Sequence, residues 1–167
     1  NFLFNKNKFI NKKNIHVFNS AITDKDNVGT LFSYGKGSLQ GSLINQNFSH
    51  LNIENDIKQT VKLCRLDTLI KELKLDQIDL CKIDIEGNEM NALLGAGEAI
   101  KKIKIIQFEF GPASIDGRTF FKDFYNFFSK INFDLYRISS SKLIKIRKYH
   151  SELEYFRVSN FVALNKN

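Results

Sequence analysis

Two apolar runs flanking a helical pattern stand out in the middle of the chain. Residues 78–85 read I-D-L-C-K-I-D-I and end against Glu86 and Gly87. Apolar residues then recur at helical spacing to about Lys102, and residues 103–110, I-K-I-I-Q-F-E-F, form the second run. Strand, helix and strand at this spacing predict a βαβ unit. Upstream, Phe2, Leu3, Phe9 and Ile10 suggest a short amphipathic helix, residues 15–18 a strand, residues 23–27 a turn and residues 28–34 a further strand. Residues 59–66 alternate and predict a strand, after which Asp67 caps a helix over residues 68–75 with Leu69, Ile70 and Leu73 on one face. Downstream, Phe120, Phe121, Phe124, Phe127, Phe128 and Ile131 follow helical spacing, an aromatic stripe that reads as core. Residues 133–138 predict a strand, residues 143–147 a strand or a loop insertion, and residues 158–164 a closing strand antiparallel to its neighbour. Helices alternating with apolar runs predict an α/β fold: a mainly parallel sheet with helices on both faces, in one domain over residues 1–167.

Composition narrows the class without naming a function. The chain has 167 residues, 43% of them apolar and 26% charged, which suits a globular domain with its own core. The formal charge is +7, but the lysines are scattered in modest clusters, so no nucleic-acid arm is predicted. Cys64 and Cys81 have no metal-ligand spacing and do not make a disulfide framework. A reducing compartment and cytoplasmic location are expected. No stretch is apolar for long enough to predict a membrane span, and no signal-peptide pattern opens the chain. The first residue is Asn1, not Met, which suggests a fragment.

The candidate chemistry lies where the apolar runs end. In open parallel sheets, ligands sit outside the carboxyl ends of the strands. Asp84, Glu86 and Glu109 all fall at such ends. Lys82 and Asp84 are two residues apart in a strand, on one face, and are expected to be partly desolvated there. That leaves two readings, a structural ion pair or a pair facing a ligand. Glu86 is either a charge on the helix N-terminus or a site residue, and Gly87 permits a tight turn. The Gly- and Ser-rich stretch over residues 35–42 is either a plain connection or a loop whose amides cradle a phosphate, with Ser38 as a candidate ligand-binding side chain. His16, His50 and His150 share no spacing, and no metal site is predicted.

The segments L-D-T-L-I, I-D-L-C-K-I-D-I-E-G-N-E-M-N-A-L-L-G-A and I-I-Q-F-E-F, in this order, resemble the FkbM-type methyltransferase family. Upstream, N-I-H-V-F-N-S-A-I-T-D resembles that family's third strand and the turn after it. The resemblance implies a class I, Rossmann-like methyltransferase fold using S-adenosylmethionine. The acceptor would be a hydroxyl of a sugar, a glycan or another small metabolite. It matches Lys82, Asp84, Glu86 and Glu89 to the family motif, with Asp84, Lys82 and Glu86 as catalytic candidates. It sets Asp84 beside the cofactor's methionine end or the acceptor, and Ser20 and Ala21 near its adenine; Glu109 and Ser38 remain candidates for the acceptor. The family's opening strand, its V-D-x-G-A-N-x-G turn and the acidic end of its second strand have no counterpart in this sequence. The expectation is therefore the C-terminal two thirds of the fold. A truncated or degenerate, non-catalytic α/β domain acting as a binding module is the alternative. Oligomeric state is left open.

Overall fold

The computed structural model describes residues 15–33, 41–47 and 57–166. These form two sheets. The first contains β1 (Ser20–Thr23), β2 (Asn27–Ser33), β3 (Gly41–Ser42) and β4 (Ile57–Arg65), in the order β1-β4-β2-β3. The second contains β5 (Ile78–Ile83), β6 (Ile103–Phe110), β7 (Phe133–Ile138), β8 (Leu143–Lys145) and β9 (Ser159–Asn165), in the order β5-β6-β9-β7-β8. Helices α1 (Leu66–Glu72), α2 (Glu89–Gly95), α3 (Ala113–Asp116) and α4 (Phe121–Lys130) connect them.

This corrects the expected mainly parallel sheet with helices on both faces. The pairs β1–β4 and β5–β6 are parallel, while β2 pairs antiparallel with both β3 and β4, and β9 lies antiparallel to both β6 and β7. The reason is physical: alternation along a strand marks which face is buried but carries no information on the direction of the neighbour. One face of the second sheet is the aromatic core. Phe108 on β6 stacks on Phe124, Phe128 and Phe161 at centroid distances of 4.7, 5.4 and 5.6 Å. Phe110 meets Phe121 edge-on at 5.5 Å. All five of these rings other than Phe161 are at most 1% exposed, and Phe161 is 3% exposed. On the alternate face, Leu80 and Ile105 sit opposite each other in register and are exposed, at 56% and 37%.

Several boundaries move. The strand expected at residues 15–18 is exposed, non-strand chain, and the strand forms at Ser20–Thr23. Pairing with β4 fixes that shift, with Ser20 opposite Lys62 and Thr23 opposite Arg65. Helix α1 begins at Leu66, so Asp67 lies in its first turn, bound to Arg65 in an ion pair, rather than capping it. The helix expected to run to Lys102 stops at Gly95 and gives way to a 3-10 turn over Gly97–Lys102, because Gly97 takes a left-handed φ of 49°. The loop after Gly111 contains the short α3. The aromatic helix runs as α4, with Phe121, Phe124 and Phe128 buried, whereas Phe120 precedes it and is 55% exposed. Its N-terminus is capped from a distance: Glu154 accepts the Phe121 and Lys122 amides at 2.7 and 2.9 Å. The expected N-terminal helix around Phe2–Ile10 lies outside the described residues.

Candidate active site

Strands β5 and β6 are parallel neighbours, with Lys82 opposite Gln107 and Ile83 opposite Phe108. Their carboxyl ends therefore carry Asp84 and Glu109 side by side. Lys82 Nζ donates to Asp84 Oδ2 at 2.7 Å. The expected pair thus exists, but the desolvation expected for it is corrected: the two side chains are 55% and 37% exposed, because they share the open face with Leu80 and Ile105. Glu86 and Glu109 are half-buried. Burial, reinforced by Asp84, pushes the Glu86 carboxyl above the usual carboxylate range. Burial first, then Asp84 and Glu86, push Glu109 up, against an opposing pull from Lys82. Asp84 raises the proton affinity of Glu86 and Glu109, and Lys82 lowers that of Glu109, so three carboxylates and one ammonium form one electrostatic group.

The turn after β5 is built in an unusual way. Glu86 and Gly87 are both left-handed, with φ of 57° and 97°. Only glycine takes that conformation without strain. Gly87 also has no room for a side chain, since a Cβ there would lie 2.6 Å from the Ala113 carbonyl oxygen. The next helix begins with Glu89, which is 3% exposed. Its carboxylate accepts the Ile85 amide at 2.9 Å and the Gly87 amide at 3.0 Å. Burial outweighs those bonds and pushes its pKa up to about 7. Asn88 Nδ2 donates to the Ile22 carbonyl at 3.0 Å, which ties the end of β1 to the same rim. Gly95 of α2 packs directly on the Thr23 carbonyl oxygen, where a Cβ would come within 2.0 Å.

Of the residues singled out in the sequence, Lys82, Asp84, Glu86 and Glu109 come together. Ser20 and Ala21 do not lie in a turn; they are half-buried inside β1, opposite Lys62 and Leu63. Ser38 lies outside the described residues. Ser42, at the end of the Gly- and Ser-rich stretch, lies in β3, and Gln46 carried no local signal; they are 2% and 5% exposed and their side chains donate to the Glu86 carbonyl. Among the described residues, no cluster of His, Cys, Asp or Glu is arranged to hold a metal ion, and no helix is long and apolar enough to cross a membrane.

The mixed α/β domain gathers acids at the ends of two parallel strands, next to a glycine turn that precedes a helix. The particular family follows from the sequence comparison: the chain belongs to the FkbM methyltransferase domain family, whose model, described as Methyltransferase FkbM domain, matches residues 4–135. No curated protein and no solved structure matches the chain.

Proposed function

We propose that this FkbM-family domain transfers a methyl group from S-adenosylmethionine to a hydroxyl of a sugar, a glycan or another small metabolite. One observation supports the reading above the rest: Asp84, Glu86 and Glu109 form a single electrostatic group at the carboxyl ends of β5 and β6, in a chain of a methyltransferase family. The donor set suits such a cofactor. Carboxylates match its ammonium and hydroxyl groups and its sulfonium charge, and Lys82 matches its carboxylate. Bound, the cofactor supplies an electrophilic methyl group. The chain's part is to position the acceptor and take its proton.

Asp84 is the base read from the sequence, and Lys82, at 2.7 Å, orients it and competes for the same oxygen. Glu86 and Glu109 hold protons more tightly than ordinary carboxylates and stand ready to accept one from the acceptor hydroxyl. Ser20 and Ala21, on the strand tied to the rim through Asn88, remain on the cofactor side of the proposal.

The test uses the full chain, S-adenosylmethionine labelled in its methyl group and a panel of monosaccharides and oligosaccharides. Asp84→Asn, Glu86→Gln and Glu109→Gln are each expected to lower kcat by about 100-fold, the range general-base loss produces. Unchanged turnover in all three variants overturns the site. If the wild-type chain neither transfers methyl nor binds S-adenosylmethionine in calorimetry, the domain is instead a non-catalytic binding module.

A further inference from the structure

The peptide unit joining Glu86 to Gly87 is held at both ends by buried side chains. Its carbonyl oxygen accepts Ser42 Oγ at 2.7 Å and Gln46 Nε2 at 2.8 Å. Its N–H, on Gly87, donates to Glu89 at 3.0 Å. All three clamping side chains are 5% exposed or less. Ser42 comes from β3 of the other sheet and Gln46 from the chain just after it, 44 and 40 residues away in sequence. Beyond them, Asn47 N–H donates to Asp116 of α3 at 3.1 Å, and the backbone of residues 113–117 closes on Gly87. Three separate stretches of chain therefore meet on one peptide plane.

The N-cap of α2, Asn88, makes no side-chain cap bond; Glu89 instead accepts the Ile85 and Gly87 amides of the turn before the helix. Two further buried donors on the carbonyl fix something those bonds do not: the orientation of the peptide plane at a left-handed, non-glycine residue. Such strain persists where the surroundings over-determine it, and its common setting is a functional site. The residue so held is Glu86, whose side chain leaves the backbone beside Asp84 and Glu109. We infer that Ser42, Gln46 and Glu89 are positioning residues, which lock the Glu86–Gly87 peptide and through it set the Glu86 carboxylate for proton transfer. The role of the lock in turnover rests on the methyl-transfer reading; the lock itself does not.

The experiment compares the full chain with Ser42→Ala, Gln46→Ala, the double variant and the conservative Ser42→Thr. The first readout needs no activity. Losing both donors frees the peptide plane that carries the Gly87 N–H, so its bond to Glu89 opens more often and its hydrogen exchange is expected to speed up by about 10-fold or more in the double variant. The Glu86 carboxyl titration, followed by carbon NMR, is expected to move in the same variant and to return with Ser42→Thr. The second readout is turnover: kcat is expected to fall by about 10-fold or more while KM for S-adenosylmethionine stays within about threefold. Unchanged Gly87 exchange and Glu86 titration overturn the lock. Faster exchange with unaltered kcat overturns its positioning role and leaves only a structural one. If the wild-type chain transfers no methyl group, the methyl-transfer reading fails, and the lock is decided by exchange and titration alone. The single variants keep the test open where the double variant does not fold.

Discussion

Replacing Glu89 by Gln isolates the most perturbed acid in the fold. Burial raises the Glu89 carboxyl from 4.5 to about 7, and the negative charge of Glu109 adds to the push. The folded chain therefore binds this proton more tightly than the unfolded chain does. Its contribution to stability is full below about pH 4.5 and is lost as pH rises through about 7. Linkage between those two values makes the folded state about 2.5 kcal/mol less favoured at about pH 8 than at about pH 5, from this group alone. The assay is urea denaturation of wild type and Glu89→Gln at matched pH values across that window. Gln fills nearly the same space but cannot titrate, and it turns an –NH2 toward the Ile85 or Gly87 amide, a cost that does not vary with pH. The variant is thus expected to be the less stable protein at low pH, and to close that gap by about 2 kcal/mol as pH rises. A gap between the two proteins that stays constant over the window would refute the reasoning, because the carboxyl would then titrate alike in the folded and unfolded chains.

Three other outcomes follow from the packing. Gly87→Ala places a methyl group 2.6 Å from the Ala113 oxygen at a positive φ, so a loss of more than about 2 kcal/mol is expected in chemical denaturation. Phe108→Ala removes a ring stacked on three others and is expected to cost about 3–5 kcal/mol, read from the same unfolding curves. Lys82→Met breaks an ion pair whose members are both more than a third exposed; stability is expected to change by less than about 1 kcal/mol, while methyl transfer, where measured, falls. A large stability loss in that variant would show that the pair is part of the core and not of the site.

Much of the local order was legible because it is written in periodicity. The bounds of β6 and β7 follow directly from alternating apolar residues, and α4 follows from Phe121, Phe124 and Phe128 at helical spacing. Candidate acids at strand ends were legible for the same reason, since Asp84 and Glu109 are the last polar residues of apolar runs. The motif K-I-D-I-E-G-N-E also carried Glu89, though not what it does. Glu89 looks like any acidic residue in a first helical turn, and only its burial turns it into a group that titrates near neutrality.

The rest needed the third dimension. The antiparallel course of β9 was expected and is found, but whether β2 runs with or against its neighbours is decided by backbone pairing, to which side-chain alternation is blind. The shift of the first strand from residues 15–18 to Ser20–Thr23 is set by register against β4 and by the close fit of Gly95 on Thr23. Ser42 and Gln46 are ordinary polar residues in a polar stretch, and their meaning comes from a carbonyl 44 and 40 positions away. By itself, then, the sequence determined the approximate places of β2, β4, β5, β6, β7 and β9 and of α1 and α4, which acids end the apolar runs and which family the chain resembles. Only the tertiary structure decided the antiparallel course of β2, the exposure of the Lys82–Asp84 pair and the clamp on Glu86, because each depends on contacts between residues that no local pattern connects.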